Sequence, residues 1–193
     1  MTHSIYNRVA TQYAGERSPT IGVTELQRII NRLGNELSIL DLGCGTGVPI
    51  AKALIDQSAY YLGVDAAENM IRKFKDNVPG AEGRVADIAK LSYPKNHFDL
   101  AFAFGTIFHL NPDEQTQMFK LVAPSVKPGG VLAFTTGREA GEATGHVCGH
   151  ALQHWSLGKT GYISLLEELG LRFKIDYVGE GENYFMEFEK AKA

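Results

Sequence analysis

The residues best suited to chemistry stand close together in the first half of the chain. Asp41, Gly43, Cys44, Gly45 and Gly47 fall in one run, Asp-Leu-Gly-Cys-Gly-Thr-Gly. Glycines let backbone approach a ligand closely, and a helix that follows them points its N-terminus at the same place. The spacing is G-x-G-x-G, not the G-x-G-x-x-G that sets a dinucleotide pyrophosphate on a helix. Taken alone, the triplet also suits a tight strand–helix turn and nothing more. Two acidic residues sharpen the reading. Asp65 ends Leu-Gly-Val-Asp, and Asp87 ends Arg-Val-Ala-Asp before Ile88. A carboxylate at Asp65 can accept both hydroxyl hydrogens of a ribose in a charge-assisted pair. Asp87 can take the amino hydrogens of an adenine, with Ile88 against the ring. Each could be a simple strand-end cap. Two at the ends of consecutive strands after a glycine turn point to a nucleoside site.

A second set of polar residues could act on whatever that nucleoside serves. His109 titrates near neutrality and could remove a proton from an acceptor. It could equally just pack or hydrogen-bond the backbone after a strand. Residues 137–157 hold Arg138, His146, Cys148, His150, His154 and Trp155, with Gly137, Gly141, Gly145 and Gly149 recurring every fourth position. On a helix, His146, His150 and His154 would share one face, and a metal site is imaginable. Glycine costs about 1 kcal/mol in a helix interior, and the histidine stretch 146–154 holds no carboxylate to orient the rings. The expectation is a mobile lid with pocket histidines and no metal. Trp155 could stack on an aromatic acceptor or anchor the lid.

These residues need strands and helices to hold them. Strand-like runs at 38–42, 60–64, 83–86, 98–104 and 131–136 alternate with helical patterns at 48–55, 68–75, 113–122 and 162–169. Residues 127–130, Lys-Pro-Gly-Gly, read as a turn. Runs at 172–178 and 184–189 flank Gly-Glu-Gly-Glu and suggest a closing antiparallel hairpin. Helical stretches near 5–14 and 24–33 precede all of this. The alternation predicts an α/β fold with a doubly wound parallel sheet. The 193 residues suffice for one domain, with 1–36 as a helical cap and 137–158 as a substrate lid. Net charge is −3 without a basic stripe, which gives no support to a nucleic-acid partner. Apolar runs are only strand-length, so no membrane association is expected. The polar N-terminal stretch and two cysteines read as reduced thiols suggest a cytoplasmic protein, a monomer or homodimer.

At this point the chain resembles the class I S-adenosylmethionine (SAM)-dependent methyltransferases, and looks most like the small-molecule branch related to quinone-biosynthesis enzymes. The resemblance rests on Ile-Leu-Asp-Leu-Gly-Cys-Gly-Thr-Gly at 39–47, Gly-Val-Asp at 63–65 with Glu-Asn-Met at 68–70, and Ala-Asp at 86–87. It continues through Phe-Asp-Leu at 98–100, His-Leu at 109–110 and the segment from Leu121 to Gly130. It implies a seven-stranded Rossmann-like sheet with the last strand antiparallel, SAM as cofactor, and a small-molecule methyl acceptor. It further implies that the backbone at Gly43, Cys44 and Gly45 lines the amino-acid half of the cofactor and that Asp65 holds the ribose. Ala66 and Met70 would flank the adenine, with Asp87 and Ile88 at its edge. Ala103 and Phe104 would touch the cofactor where the fourth strand ends, and Tyr13 on the N-terminal helix would cover it. His109 is the candidate base. Tyr13, His109, Arg138, His146, His150 and Trp155 are the candidate acceptor contacts.

Rival readings remain within this pattern. Amino-methylating DNA enzymes usually carry an Asn- or Asp-Pro-Pro-aromatic motif after the fourth strand, where this chain has Phe-Gly-Thr-Ile. A protein methyltransferase has no positive feature. A catalytically silent SAM-binding regulator or scaffold keeps the motifs without turnover, and a nicotinamide oxidoreductase would want the longer glycine spacing.

Overall fold

The computed structural model describes residues 2–16 and 18–192, without the side chains of residues 11, 13, 14 and 16. Among the described residues the chain runs α1 (Thr2–Glu16), α2 (Val23–Leu33), β1 (Leu37–Leu42), α3 (Ile50–Leu54), β2 (Ser58–Asp65), α4 (Glu68–Asn77), β3 (Glu82–Val85) and β4 (Phe98–Ala103). It continues α5 (Pro112–Val122), β5 (Val126–Thr136), β6 (Ala140–Val147), β7 (His150–Leu157), α6 (Gly158–Glu168), β8 (Leu171–Val178) and β9 (Tyr184–Lys190). Seven strands form one sheet in the order β3-β2-β1-β4-β5-β9-β8. The first five are mutually parallel, and β9 runs antiparallel between β5 and β8. This is the doubly wound, seven-stranded architecture with an antiparallel last strand that the sequence implies.

The sheet lies where the side chains demand. Every residue of β1 is buried, as expected of a central parallel strand covered on both faces. Its side chains alternate between the two layers. Leu40 and Leu42 join the cluster beneath α5 and α6, around Phe119, Phe134 and Tyr162. Leu37 and Ile39 join the cluster beneath α2, α3 and α4, around Leu26, Ile30 and Phe74. The start of α5 is fixed by a capping box: Asn111 accepts from the Glu114 amide, and the Glu114 carboxylate accepts from the Asn111 amide. No helix among the described residues is long and apolar enough to cross a membrane.

Three local expectations differ from what forms. The helix expected over 48–55 is only five residues long, because Val48 and Pro49 belong to the glycine turn and Ile55–Gln57 tightens into a 3₁₀ turn. Lys127 to Gly130 lies inside β5, yet the ladder slips there: Phe98 pairs with Val126 and Leu100 with Val131. The largest difference is in 137–157, the expected lid, where no strand is expected. It is an antiparallel hairpin, β6 on β7, closed by Cys148 and Gly149. Both turn residues have positive φ, 46° and 78°, the backbone of a two-residue hairpin turn whose twist matches the strands. Glycines every fourth residue looked like a poor helix because they belong to a sheet.

Candidate active site

The cavity opens at the carboxyl ends of β1 to β4, where open α/β sheets receive ligands. It encloses about 440 Å³, within the range that small-molecule sites occupy. Its floor is the glycine turn after β1. The amides of Gly43 and Cys44 both donate to the Val64 carbonyl, at 2.7 and 3.1 Å, folding the turn against β2. Gly43 (φ 74°) sits so close to Thr106 that a Cβ would collide with that side chain. Gly45 (φ 54°) lines the cavity, and a Cβ there would meet nothing within 4 Å. The open space beside it is what a bound ligand would use.

Asp65, at the end of β2, ties the floor to the next helix. Its carboxylate accepts from the Gly45 amide at 3.0 Å and the Ala67 amide at 2.8 Å. Burial pushes its carboxyl above the usual range, against the opposite pull of those two amides. Each oxygen keeps a second lone pair for a hydroxyl. Asp87 lines the cavity just beyond β3, the strand next to β2, where the Ala86 amide donates to the Asp65 carbonyl at 3.0 Å. Burial would raise its carboxyl too, but Lys90 at 2.7 Å and the Ala89 amide at 2.9 Å outweigh it and hold Asp87 below the usual range. Ala66, Met70, Ile88 and Phe104 complete the walls.

Helix α1 roofs the cavity. Asn7 clasps the start of α4, accepting from the Asn69 amide through its side chain and from the Asn69 side chain through its carbonyl, both at 2.8 Å. Ala10 packs on Ala67 and Met70 beneath it. The tyrosine that this helix turns into the cavity is Tyr6; the side chain of Tyr13, expected in that place, lies outside the described residues.

His109 ends the 3₁₀ turn Ile107–His109 after β4 and lines the cavity. Its Nε2 is 2.8 Å from the Tyr6 hydroxyl, while its Nδ1 is buried without a hydrogen-bond partner. Burial, helped by neighbouring His154, pulls its pKa down to about 3. It is therefore neutral at pH 7, and a proton accepted there would be held weakly. His154 of β7 packs its ring edge-on at 4.8 Å and also lies 4.6 Å from Phe108. His154 was one of three lid histidines with nothing in the sequence to distinguish it. The hairpin pairing does so: His154 lies over Gly145, which leaves room for it.

Other expected residues stand elsewhere. Cys44 contributes its backbone to the turn, but its thiol is buried next to Gly63, and burial, with Asp41 and Asp65 nearby, pushes it up. Ala103 is buried in the core. Arg138 lies over the Tyr184 ring, 5.8 Å from its centre, away from the cavity. His146 pairs with Ala151 while His150 pairs with Val147 and His154 with Ala143, which puts His146 on the opposite face from the other two. His146 and His150 are exposed and outside the lining. Trp155 pairs with Glu142 on the face opposite His154; its carbonyl accepts from the buried Gln115 side chain, anchoring the base of the hairpin. Glu114, Thr106 and His3 line the cavity without having been singled out. Among the described residues no cluster of His, Cys, Asp or Glu is arranged to hold a metal.

Residues 39–130 match the family model described as "Methyltransferase domain". Methyltransferase GfsG of Streptomyces halstedii is 34% identical over 102 residues, covering 50% of this chain and 36% of that protein. Phosphoethanolamine N-methyltransferase 3 of Arabidopsis thaliana is 31% identical over 101 residues, 50% of this chain and 20% of that protein. The chain thus spans well under half the length of these relatives. The structure of the DhpI–SAH complex superposes with a TM-score of 0.75 at 20% identity, over 99% of this chain and 96% of that one. Fold and glycine turn define a doubly wound α/β domain with a cavity at its strand ends. Residues 39–130 are thus similar to a methyltransferase domain, and the whole chain shares the fold of the SAH-bound structure.

Proposed function

We propose that the chain transfers the methyl group of SAM to a small-molecule acceptor, releasing S-adenosylhomocysteine (SAH). One observation carries the reading: a cavity floored by the cramped Gly43 and the open Gly45, with Asp65 and Asp87 lining it at the ends of adjacent strands. The residues fit the cofactor. The Gly43–Gly45 backbone leaves space for its amino-acid half, Asp65 has free lone pairs for the ribose hydroxyls, and Ala66, Met70 and Ile88 offer apolar faces for the adenine next to Asp87. When bound, SAM supplies a sulfonium methyl whose leaving group is neutral.

The chain's own contribution is then mostly positioning and exclusion of water. Helix α1 roofs the cavity through Asn7 and Tyr6, and we assign it the role of cap. The β6–β7 hairpin, touching the site through His154, is the acceptor-side wall. His109 orients rather than titrates: its ring is wedged among Tyr6, Phe108 and His154 and stays neutral.

Calorimetric titration with SAM, SAH and NAD tests this. Micromolar binding of the first two and none of NAD is expected. Asp65→Ala, folded by circular dichroism, weakens SAH by roughly 100-fold, the equivalent of losing two hydrogen bonds to a charged group. A folded wild-type protein that ignores SAH removes the proposal. SAH binding without turnover on any acceptor would leave the silent SAM-binding regulator in its place.

A further inference from the structure

The cavity's charge is one-sided. Among the described lining residues are three carboxylates, Asp65, Asp87 and Glu114, and no lysine or arginine. Asp65 and Asp87 are committed to backbone amides and, in the proposed function, to the nucleoside. Lys90 stands at Asp87 but outside the lining, and that ion pair neutralises it. Glu114 is different. One of its oxygens accepts from the Asn111 amide at 2.9 Å, Lys90 feels its charge more weakly than that of Asp87, and it lines the cavity along with His109 and Leu110. Sites for phosphate or carboxylate groups are built from arginine, lysine or clustered amides. The described lining offers instead the Glu114 carboxylate, the Tyr6 hydroxyl and the neutral His109 imidazole.

Resting on the proposed methyl transfer, we propose that the acceptor is an amine methylated on nitrogen, with Glu114 as the side chain that selects for it. A carboxylate accepts the N–H bonds of an ammonium or amine and repels an anionic acceptor. A hydroxyl acceptor would need a base to take its proton, and the nearest imidazole holds protons poorly. An amine needs none at the moment of transfer. It sheds its proton to solvent and attacks as the free base. Its lone pair forms the N–C bond while the S–C bond breaks, that electron pair passing to sulfur, and the resulting ammonium returns its extra proton to water. The phosphoethanolamine named for the plant relative combines both chemistries; its amino end suits this cavity and its phosphate end does not.

The test uses SAH-loaded protein and three probes on one skeleton: benzylamine, benzoate and benzyl phosphate. Calorimetry should show benzylamine binding at least tenfold more tightly than either anion, and SAM should yield N-methylbenzylamine. Glu114→Gln keeps the capping box, because glutamine serves there as well, and should weaken benzylamine about threefold to tenfold while raising affinity for the anions. Equal or tighter binding of an anion, no benzylamine binding to protein that holds SAH, or an unchanged preference in Glu114→Gln overturns the amine assignment. Protein that fails to bind SAH overturns the methyltransferase reading itself, and this inference with it.

Discussion

The floor and the roof of the cavity are built on different principles. The floor is backbone: amides of Gly43, Cys44, Gly45 and Ala67 satisfied by the Val64 carbonyl and the Asp65 carboxylate. Its shape follows from a few residues at fixed spacings, and little else can occupy those positions. The roof and acceptor wall are side chains brought from far apart, Tyr6 on α1, His109 after β4 and His154 on the hairpin, meeting edge to face. Their contacts depend on how whole elements dock. A floor of this kind fixes the cofactor class, whereas a wall of side chains can be refitted for a new acceptor without moving the floor.

The sharpest way to break that contrast is at the two glycines of the floor. Gly43→Ala must place a methyl on the Thr106 side chain at φ 74°. Left-handed strain plus overpacking should lower folding stability by about 3 kcal/mol, read by urea unfolding. Gly45→Ala meets no neighbour, so its cost in stability is only the backbone strain, on the order of 1 kcal/mol. Its effect should fall on SAH affinity instead, by roughly tenfold, the scale of a 1.4 kcal/mol loss. Equal stability losses at both positions, or an unchanged SAH affinity in Gly45→Ala, would show that the open space beside Gly45 is not the ligand's.

A smaller effect probes the wall through pH. Burial, then His154, pulls His109 down to about 3 in the folded state, from the 6.5 of a free imidazole. Between those values the unfolded chain binds a proton that the folded chain refuses, so stability falls as pH drops from about 6.5 towards 3 and is unaffected above that window. Compared with His109→Gln, the wild-type protein should lose on the order of 3 kcal/mol more between pH 7 and pH 4, since each pH step of one inside that window costs up to about 1.4 kcal/mol. Parallel acid limbs in the two proteins would mean that His109 is not kept neutral by its surroundings.

What the sequence revealed divides along the same line. Strand ends, the glycine turn and the two aspartates were legible because each is a local pattern with one backbone solution. The doubly wound sheet followed from strand–helix alternation, and its antiparallel last strand from the resemblance. The wall was not legible. Tyr6 had no signal of its own in the sequence, and only the docking of α1 through Asn7 and Asn69 brings it to the cavity. Glu114 reads as half of a capping box, a local role that conceals its place on the rim. In the hairpin, a four-residue period of histidines suggested one helical face, but a strand has period two. The turn at Cys148 and Gly149 shifts the count so that the three histidines divide between faces.

The smallest expected effect therefore falls on the residues that looked most like an acceptor site. His146 faces away from His154, His150 is exposed near the hairpin tip, and neither lines the cavity. His146→Ala and His150→Ala should leave methyl transfer within about twofold of wild type, because exposed substitutions away from packed features rarely exceed about ±0.5 kcal/mol. His154→Ala removes the ring against His109 and Phe108, and should raise the acceptor's KM severalfold while SAH affinity holds. If His150→Ala instead matched His154→Ala, the hairpin would have to bend its tip over the cavity during turnover. The wall would then be a moving part, and the period-four histidines would be a face that closes on the acceptor rather than an accident of the strand.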